Sequence, residues 1–256
     1  MHFIAYNQYT SFSPKLSPTL IRYSGPIILY STHERPTFMR RSELKELIAE
    51  GESTTLEFKR KFTSPEKIAK EIAAFANTKG GYLLIGVDDD KRIYGVKSEK
   101  EEIAQVEHAC SFYIVPPVEP NIEIVEIEYK DVIVIQIDES EYKPHRIISS
   151  PDEKLHEQKV FIRQGEESVT ASREMVRILQ SRNPDAKPLS LSIGDNERRL
   201  FAFMEAKKRA TVKDFAALVN ISERRAARLL VRLVRAGVVN IHTDTSHDYY
   251  TLVERI

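Results

Sequence analysis

Glu52, Glu57, Lys59 and the aspartates at 88–90 are the residues of this chain whose types and spacing could do chemistry. From Thr54 to Arg60 polar and apolar residues alternate, which predicts a strand with Leu56 and Phe58 on one face and Glu57 and Lys59 on the other. A carboxylate then sits beside an ammonium. An apolar helix follows, and Asn77-Thr78-Lys79-Gly80-Gly81 ends it with residues that tolerate left-handed backbone. Tyr82 to Val87 reads as a buried strand that delivers Asp88, Asp89 and Asp90 at its end. Several carboxylates and a lysine beside backbone that glycine leaves unshielded suit a phosphate or metal site.

These same residues resemble the Schlafen AlbA_2 domain family. The resemblance rests on Glu52-x4-Glu57-Phe58-Lys59, on the run from Phe75 to Asp89, and on Ile93-Tyr94-Gly95-Val96. Lys143-Pro144-His145 and Phe161-Ile162-Arg163-Gln164-Gly165 complete it. It spans roughly residues 41–180, and separated motifs in combination are more specific than any one alone. In nuclease-type Schlafen proteins two glutamates and an aspartate hold divalent metal, which the resemblance carries to Glu52, Glu57 and Asp89, with Asp88 next. Mg²⁺ or Mn²⁺ there would activate water, and Lys59 would balance the scissile phosphate. Arg163, with Lys143, His145 and Arg146, would add phosphate contacts. The alternative from the residues themselves is that Glu57 pairs with Lys59 or a nearby base, and that Asp88–Asp90 make the turn before Ile93. No Walker-type G-x4-G-K-[ST] occurs, so an ATPase lacks its phosphate loop.

The elements that must position these groups follow from local signals. Ser64 and Pro65 open a helix with Ile68, Ile72 and Phe75 at helical spacing. A second helix runs from Glu99 to Tyr113. Ile122–Tyr129 and Val132–Ile137 predict a β-hairpin about Lys130-Asp131, with Glu123, Glu126 and Glu128 toward solvent. Lys159–Arg163 is a further strand and Ser172–Gln180 a closing helix. Met39 begins a segment in which Ser42 would cap a helix bearing Leu44, Leu47 and Ile48. Residues 1–38 show no sustained period and no acid before Glu34, and read as a disordered extension or as the product of a start placed at Met1 instead of Met39.

Beyond Pro184 and Pro188 the pattern changes. Asp195–Ala206, Thr211–Asn220 and Ser222–Ala236 read as three helices, the last two parted by the few residues of a helix-turn-helix. Val238–His242 and Tyr249–Val253 are strands joined by a polar loop. Three helices and a hairpin resemble a winged helix-turn-helix domain. On the third helix Arg224, Arg225, Arg228, Arg232 and Arg235 share one sector at 100° per residue, opposite Leu229, Leu230, Leu233 and Val234. Guanidinium groups on a groove-sized helix can bridge phosphates and reach guanine edges. The bland reading is a solvated basic face.

The fold expected is therefore α+β: an AlbA_2-like mixed sheet with flanking helices at 39–182, a linker at 183–194, and a small winged helix-turn-helix domain at 195–256. Lys plus Arg equals Asp plus Glu at 38 each, so nucleic-acid affinity must come from a local patch; from Ser190 onward twelve basic residues face eight acidic ones. The single Cys110 excludes a disulfide framework or a Cys-rich zinc site. No apolar run approaches the roughly 20 residues of a membrane helix, and the chain reads as cytoplasmic. The function expected is a nucleic-acid-binding regulator of transcription, with DNA favoured over RNA and a homodimer admitted. The alternatives are a metal-dependent endoribonuclease and a protein-interaction adaptor.

Overall fold

The computed structural model describes residues 39–150, 152–243 and 248–253. The expectation for residues 1–38 lies outside them. Among the described residues the chain forms seven helices and three small sheets, an α+β arrangement.

Strands β1 (Leu56–Lys59), β2 (Gly81–Ile85), β4 (Asn121–Ile127) and β5 (Lys130–Ile137) make a mixed sheet in the order β1-β2-β5-β4, with β1 and β2 parallel and the other pairs antiparallel. Helix α1 (Arg41–Glu50) covers one face through Leu44 and Ile48, which pack with Phe58, Leu84 and Val125. Its N-cap is Arg40, two residues earlier than a Ser42 cap requires, because Glu43 accepts from the Arg40 backbone N–H at 2.9 Å. Helices α2 (Pro65–Asn77) and α3 (Glu99–Phe112) cover the other face through Ile68, Ile72, Phe75 and Val106.

α2 begins as the sequence predicts, with the Ser64 hydroxyl accepting from Lys67 N. It is buried nearly all round, because a second sheet lies on its far side. That sheet, β3 (Ile114–Val115), β6 (Arg146–Ile147), β7 (Lys159–Gln164) and β8 (Glu167–Thr170), was not anticipated beyond β7. A helix hydrophobic all round is one that protein encloses, and Ala69, Ala73, Ala74 and Ala76 let both sheets come close. Gly80 and Gly81 serve the same packing. A Cβ at Gly81 would stand 2.4 Å from Thr55 O, and one at Gly80 2.5 Å from Ile137 O, so this backbone is pressed against protein instead of lying open to a phosphate.

The β4–β5 hairpin corrects the sequence reading. Ile127 pairs with Lys130, so the turn is Glu128-Tyr129, both left-handed at φ 54° and 62°. Lys130 and Asp131 are taken up by the neighbouring segment: Lys130 Nζ donates to Ile93 O at 2.7 Å and Val96 N to Asp131 O at 2.9 Å. Two-residue hairpins of this hand prefer Asn-Gly, since other residues lose roughly 1–2 kcal/mol each in left-handed backbone. Replacing Glu128-Tyr129 by Asn-Gly is expected to raise stability by about 1 kcal/mol or more, read as a higher urea midpoint at unchanged slope. A lower midpoint would contradict this turn.

Helix α4 (Arg173–Ser181), capped by Ser172, packs on β7 and β8 through Met175, Val176 and Leu179. Residues 183–194 lead to helices α5 (Asp195–Lys207), α6 (Val212–Val219) and α7 (Glu223–Arg235) and to the hairpin β9 (Val239–His242) and β10 (Tyr249–Leu252). These have their own core of Leu200, Met204, Phe215, Leu230, Leu233 and Tyr250. Ala210 forms a bridge to Tyr250 with backbone bonds of 2.9 and 2.8 Å, adding a third short strand segment. Asn220 ends α6 in left-handed backbone, and Ser222 caps α7 by accepting from Arg225 N. This unit also packs on the rest of the chain: α4 lies against α7, Gln164 donates to Thr243 O, and Ser172 donates to Asp248.

Candidate functional site

The acidic cluster folds into a buried ion network centred on Arg163. Glu57 points from β1 away from Phe58, as the alternation predicts, but that side is covered as well and Glu57 is only 7% exposed. Its Oε2 accepts from Arg163 Nη1 at 2.9 Å and its Oε1 from Lys59 Nζ. Arg163 Nη1 also meets Glu71 Oε2 at 3.1 Å, and Glu71 accepts from Ser168 Oγ. Arg163 Nη2 donates to Ser53 O at 2.7 Å and Glu166 O at 2.9 Å, its backbone N–H to Thr78 Oγ1 at 2.9 Å, and its guanidinium lies 4.7 Å from the Phe75 ring centroid. One side chain thus ties β7 to β1, α2 and the 51–55 segment. The Arg163 side chain is 0% exposed, which overturns its assignment as a nucleic-acid contact.

Glu52 is half-buried and Oε1 accepts from Phe58 N at 2.9 Å. Burial, joined by the like charges of Glu57 and Asp89, holds its carboxyl above the ordinary range. Asp89 is exposed in a turn: Asp88 N donates to Arg92 O, Lys91 N to Asp88 O, and Arg92 N to Asp90 Oδ1 at 3.0 Å. Asp88 pairs with Arg60 at 3.7 Å. Among the described residues no three or more His, Cys, Asp or Glu side chains group so as to hold a metal ion. The set Glu52, Glu57 and Asp89 therefore does not fit Mg²⁺ or Mn²⁺ in this structure. Both oxygens of Glu57 face resident cations, and a dication would have to displace Arg163 from one or Lys59 from the other. Lys59 donates to Phe58 O at 2.8 Å as well as to Glu57, so its ammonium completes an ion pair.

Lys143 and His145 are each 4% exposed, against the expectation of phosphate contacts. Lys143 Nζ bonds Glu139 and Thr78 O, and His145 Nδ1 stands 2.7 Å from Pro116 O. Burial lowers the His145 pKa, which favours the neutral ring. Asn77, read as a helix stop, is also a joint: it bonds His145 N and O and Phe161 O at 2.7–2.9 Å. Glu71 was missed. Its signal was present, because a glutamate at position 71 shares the apolar face of Ile68, Ile72 and Phe75, and a charge on such a face implies a buried partner.

On α7 the arginine face separates into two halves. Arg224, Arg225 and Arg228 are exposed at the N-terminal half. Arg232 and Arg235 are half-buried and donate to the backbone carbonyls of Ser190 and Lys187, holding the 183–194 segment on the helix. Arg232 is thus engaged within the chain.

Residues 52–172 match the family model described as Schlafen, AlbA_2. Among solved structures, the crystal structure of the DIP2311 protein from Corynebacterium diphtheriae is 18% identical over 68% of this chain and 35% of its own, with a TM-score of 0.41. The N-terminal domain of a protein from Nitrosomonas europaea described as ATP-dependent DNA helicase RecG-related is 18% identical over 53% of this chain and 94% of its own, at 0.37. This chain thus spans about a third of the Corynebacterium protein.

Proposed function

We propose that this chain is a nucleic-acid-binding regulatory protein, acting on DNA in preference to RNA, in which the unit 195–256 is a winged helix-turn-helix domain joined by 183–194 to the AlbA_2 domain. The observation that carries the reading is the trio Arg224, Arg225 and Arg228, exposed at the start of the helix that follows a tight turn. In helix-turn-helix proteins the N-terminal residues of that second helix contact base edges in the major groove. The order α5, bridge at Ala210, α6, α7 and hairpin supports the same assignment. A metal-dependent nuclease is not favoured, since Glu57 is committed to Arg163 and Lys59.

The test is the full chain with end-labelled DNA and RNA duplexes in EDTA, Mg²⁺ and Mn²⁺ in turn. Saturable binding in all three with the nucleic acid intact is the expected result. Metal-dependent cleavage that Glu57→Gln abolishes would return the function to the nuclease. No binding to either duplex would leave the adaptor. Among the described residues no helix is long and apolar enough to cross a membrane.

A further inference from the structure

We propose that the nucleic-acid-facing surface continues from α7 onto α4, so that Arg173 and Arg177 grip the backbone of the same duplex as Arg224, Arg225 and Arg228. The inference rests on the reading of α7 given above.

α4 packs against α7, and the residues that can fill the seam are identifiable. Ala227 and Val231 are buried one turn apart, on a flank of α7 that the helical core of Ala226, Leu230 and Leu233 does not use. On α4, Ile178 is buried but lies outside the Met175, Val176 and Leu179 face that covers β7 and β8. At 100° per residue, Arg173, Arg177 and Gln180 then form the open face of α4, and all three are exposed.

The direction of the two helices brings the open faces together. At its start α4 is tied to the outer end of the β9–β10 hairpin, where Ser172 donates to Asp248 and Gln164 to Thr243 O. The chain leaving α4 reaches the C-terminal end of α7, where Arg235 donates to Lys187 O at 2.8 Å. α7 turns back through Gly237, at φ 68°, into β9, which packs along it. The outer end of the hairpin is therefore level with the N-terminal half of α7, and α4 and α7 run in broadly the same sense. With two right-handed helices running together, and with the β7–β8 sheet under one and the helical core under the other, the remaining side of the seam is the one that carries both sets of arginines. Here the two helices carry five exposed arginines against two glutamates, Glu174 and Glu223, and Glu174 pairs with Arg177 at 3.3 Å.

The partner this surface fits is a double helix. Packed helices stand about 8–10 Å apart axis to axis, and the major groove of B-DNA is about 12 Å wide. With α7 in the groove, a helix at its side lies over the bordering phosphate ridge, where arginines bind charge without reading sequence. The AlbA_2 half and the helical unit would then hold one duplex together.

The experiment is fluorescence anisotropy of the full chain with a labelled mixed-sequence DNA duplex across a salt series, with the RNA duplex of the same sequence as a second arm. R173A/R177A should lower the log–log salt slope by about two units and weaken binding similarly for unrelated sequences. R173K/R177K should restore most of the slope, which a variant damaged in α4 packing would not do. Arg41→Ala, on α1, should leave the slope unchanged. If R173A/R177A keeps the wild-type slope while R224A/R225A/R228A loses binding, the extension onto α4 is wrong and the reading of α7 stands. If the wild-type chain binds neither duplex, the reading of α7 fails first and takes the extension with it.

Discussion

Arg163→Ala is expected to destabilise the chain by about 3–5 kcal/mol, the usual cost of breaking a buried ion pair from one side. The substitution leaves Glu57 and Glu71, at 7% and 8% exposure, without the guanidinium they share, and leaves Ser53 O and Glu166 O without their donor. Domains are stable by only about 5–15 kcal/mol in total, so urea unfolding followed by circular dichroism should show a large drop in midpoint or no folded baseline. Arg163→Lys keeps the charge but has no planar fork to reach two carboxylates and two carbonyls at once, and should fall between the two. Replacing Arg163 by Met together with Glu57 and Glu71 by Leu and Gln should recover part of the loss, because no buried carboxylate is left without its guanidinium. A loss under about 1 kcal/mol in Arg163→Ala, the range of exposed pairs, would mean that the network does not join the two sheets.

What could be read from the sequence depended on how local the cause was. α2 is set by Ser64, Pro65 and apolar spacing, and it falls where those signals place it. The three C-terminal helices are bounded by Thr211, Asn220, Ser222 and Gly237 in the same local way. The second sheet was harder, since β3 and β6 are two residues each and β8 is Glu-Ser-Val-Thr, too short and polar for a period to appear. The hairpin turn was misplaced because Tyr129 favours strand and Lys130-Asp131 looks like a turn, while the deciding bonds come from Ile93 and Val96.

The site shows the same division. The motif residues were found, but their roles depended on partners about a hundred positions away: Arg163 is 106 residues from Glu57 and 92 from Glu71. Spacing along one strand cannot say whether a carboxylate will meet a metal ion or a guanidinium. Position 71 carried the clearest unused signal, a glutamate on an otherwise apolar helix face. The arginine face of α7 was visible from spacing alone, whereas the engagement of Arg232 and Arg235 by Ser190 O and Lys187 O was not.

R224A/R225A/R228A is expected to abolish most nucleic-acid binding while leaving the fold intact. The three side chains are exposed, and the core of the unit lies on the opposite face of α7 at Ala226, Leu230 and Leu233. Each lost phosphate contact removes roughly one unit of salt slope, and a lost bidentate contact to guanine costs a further 1–3 kcal/mol or so. The measurement is a titration of labelled DNA duplex with the wild-type chain and this variant in EDTA, repeated across a salt series. The account predicts saturable binding by the wild type that weakens steeply with salt, and a folded variant whose slope is lower by about three units. A folded variant that matches the wild type in affinity and slope would contradict it.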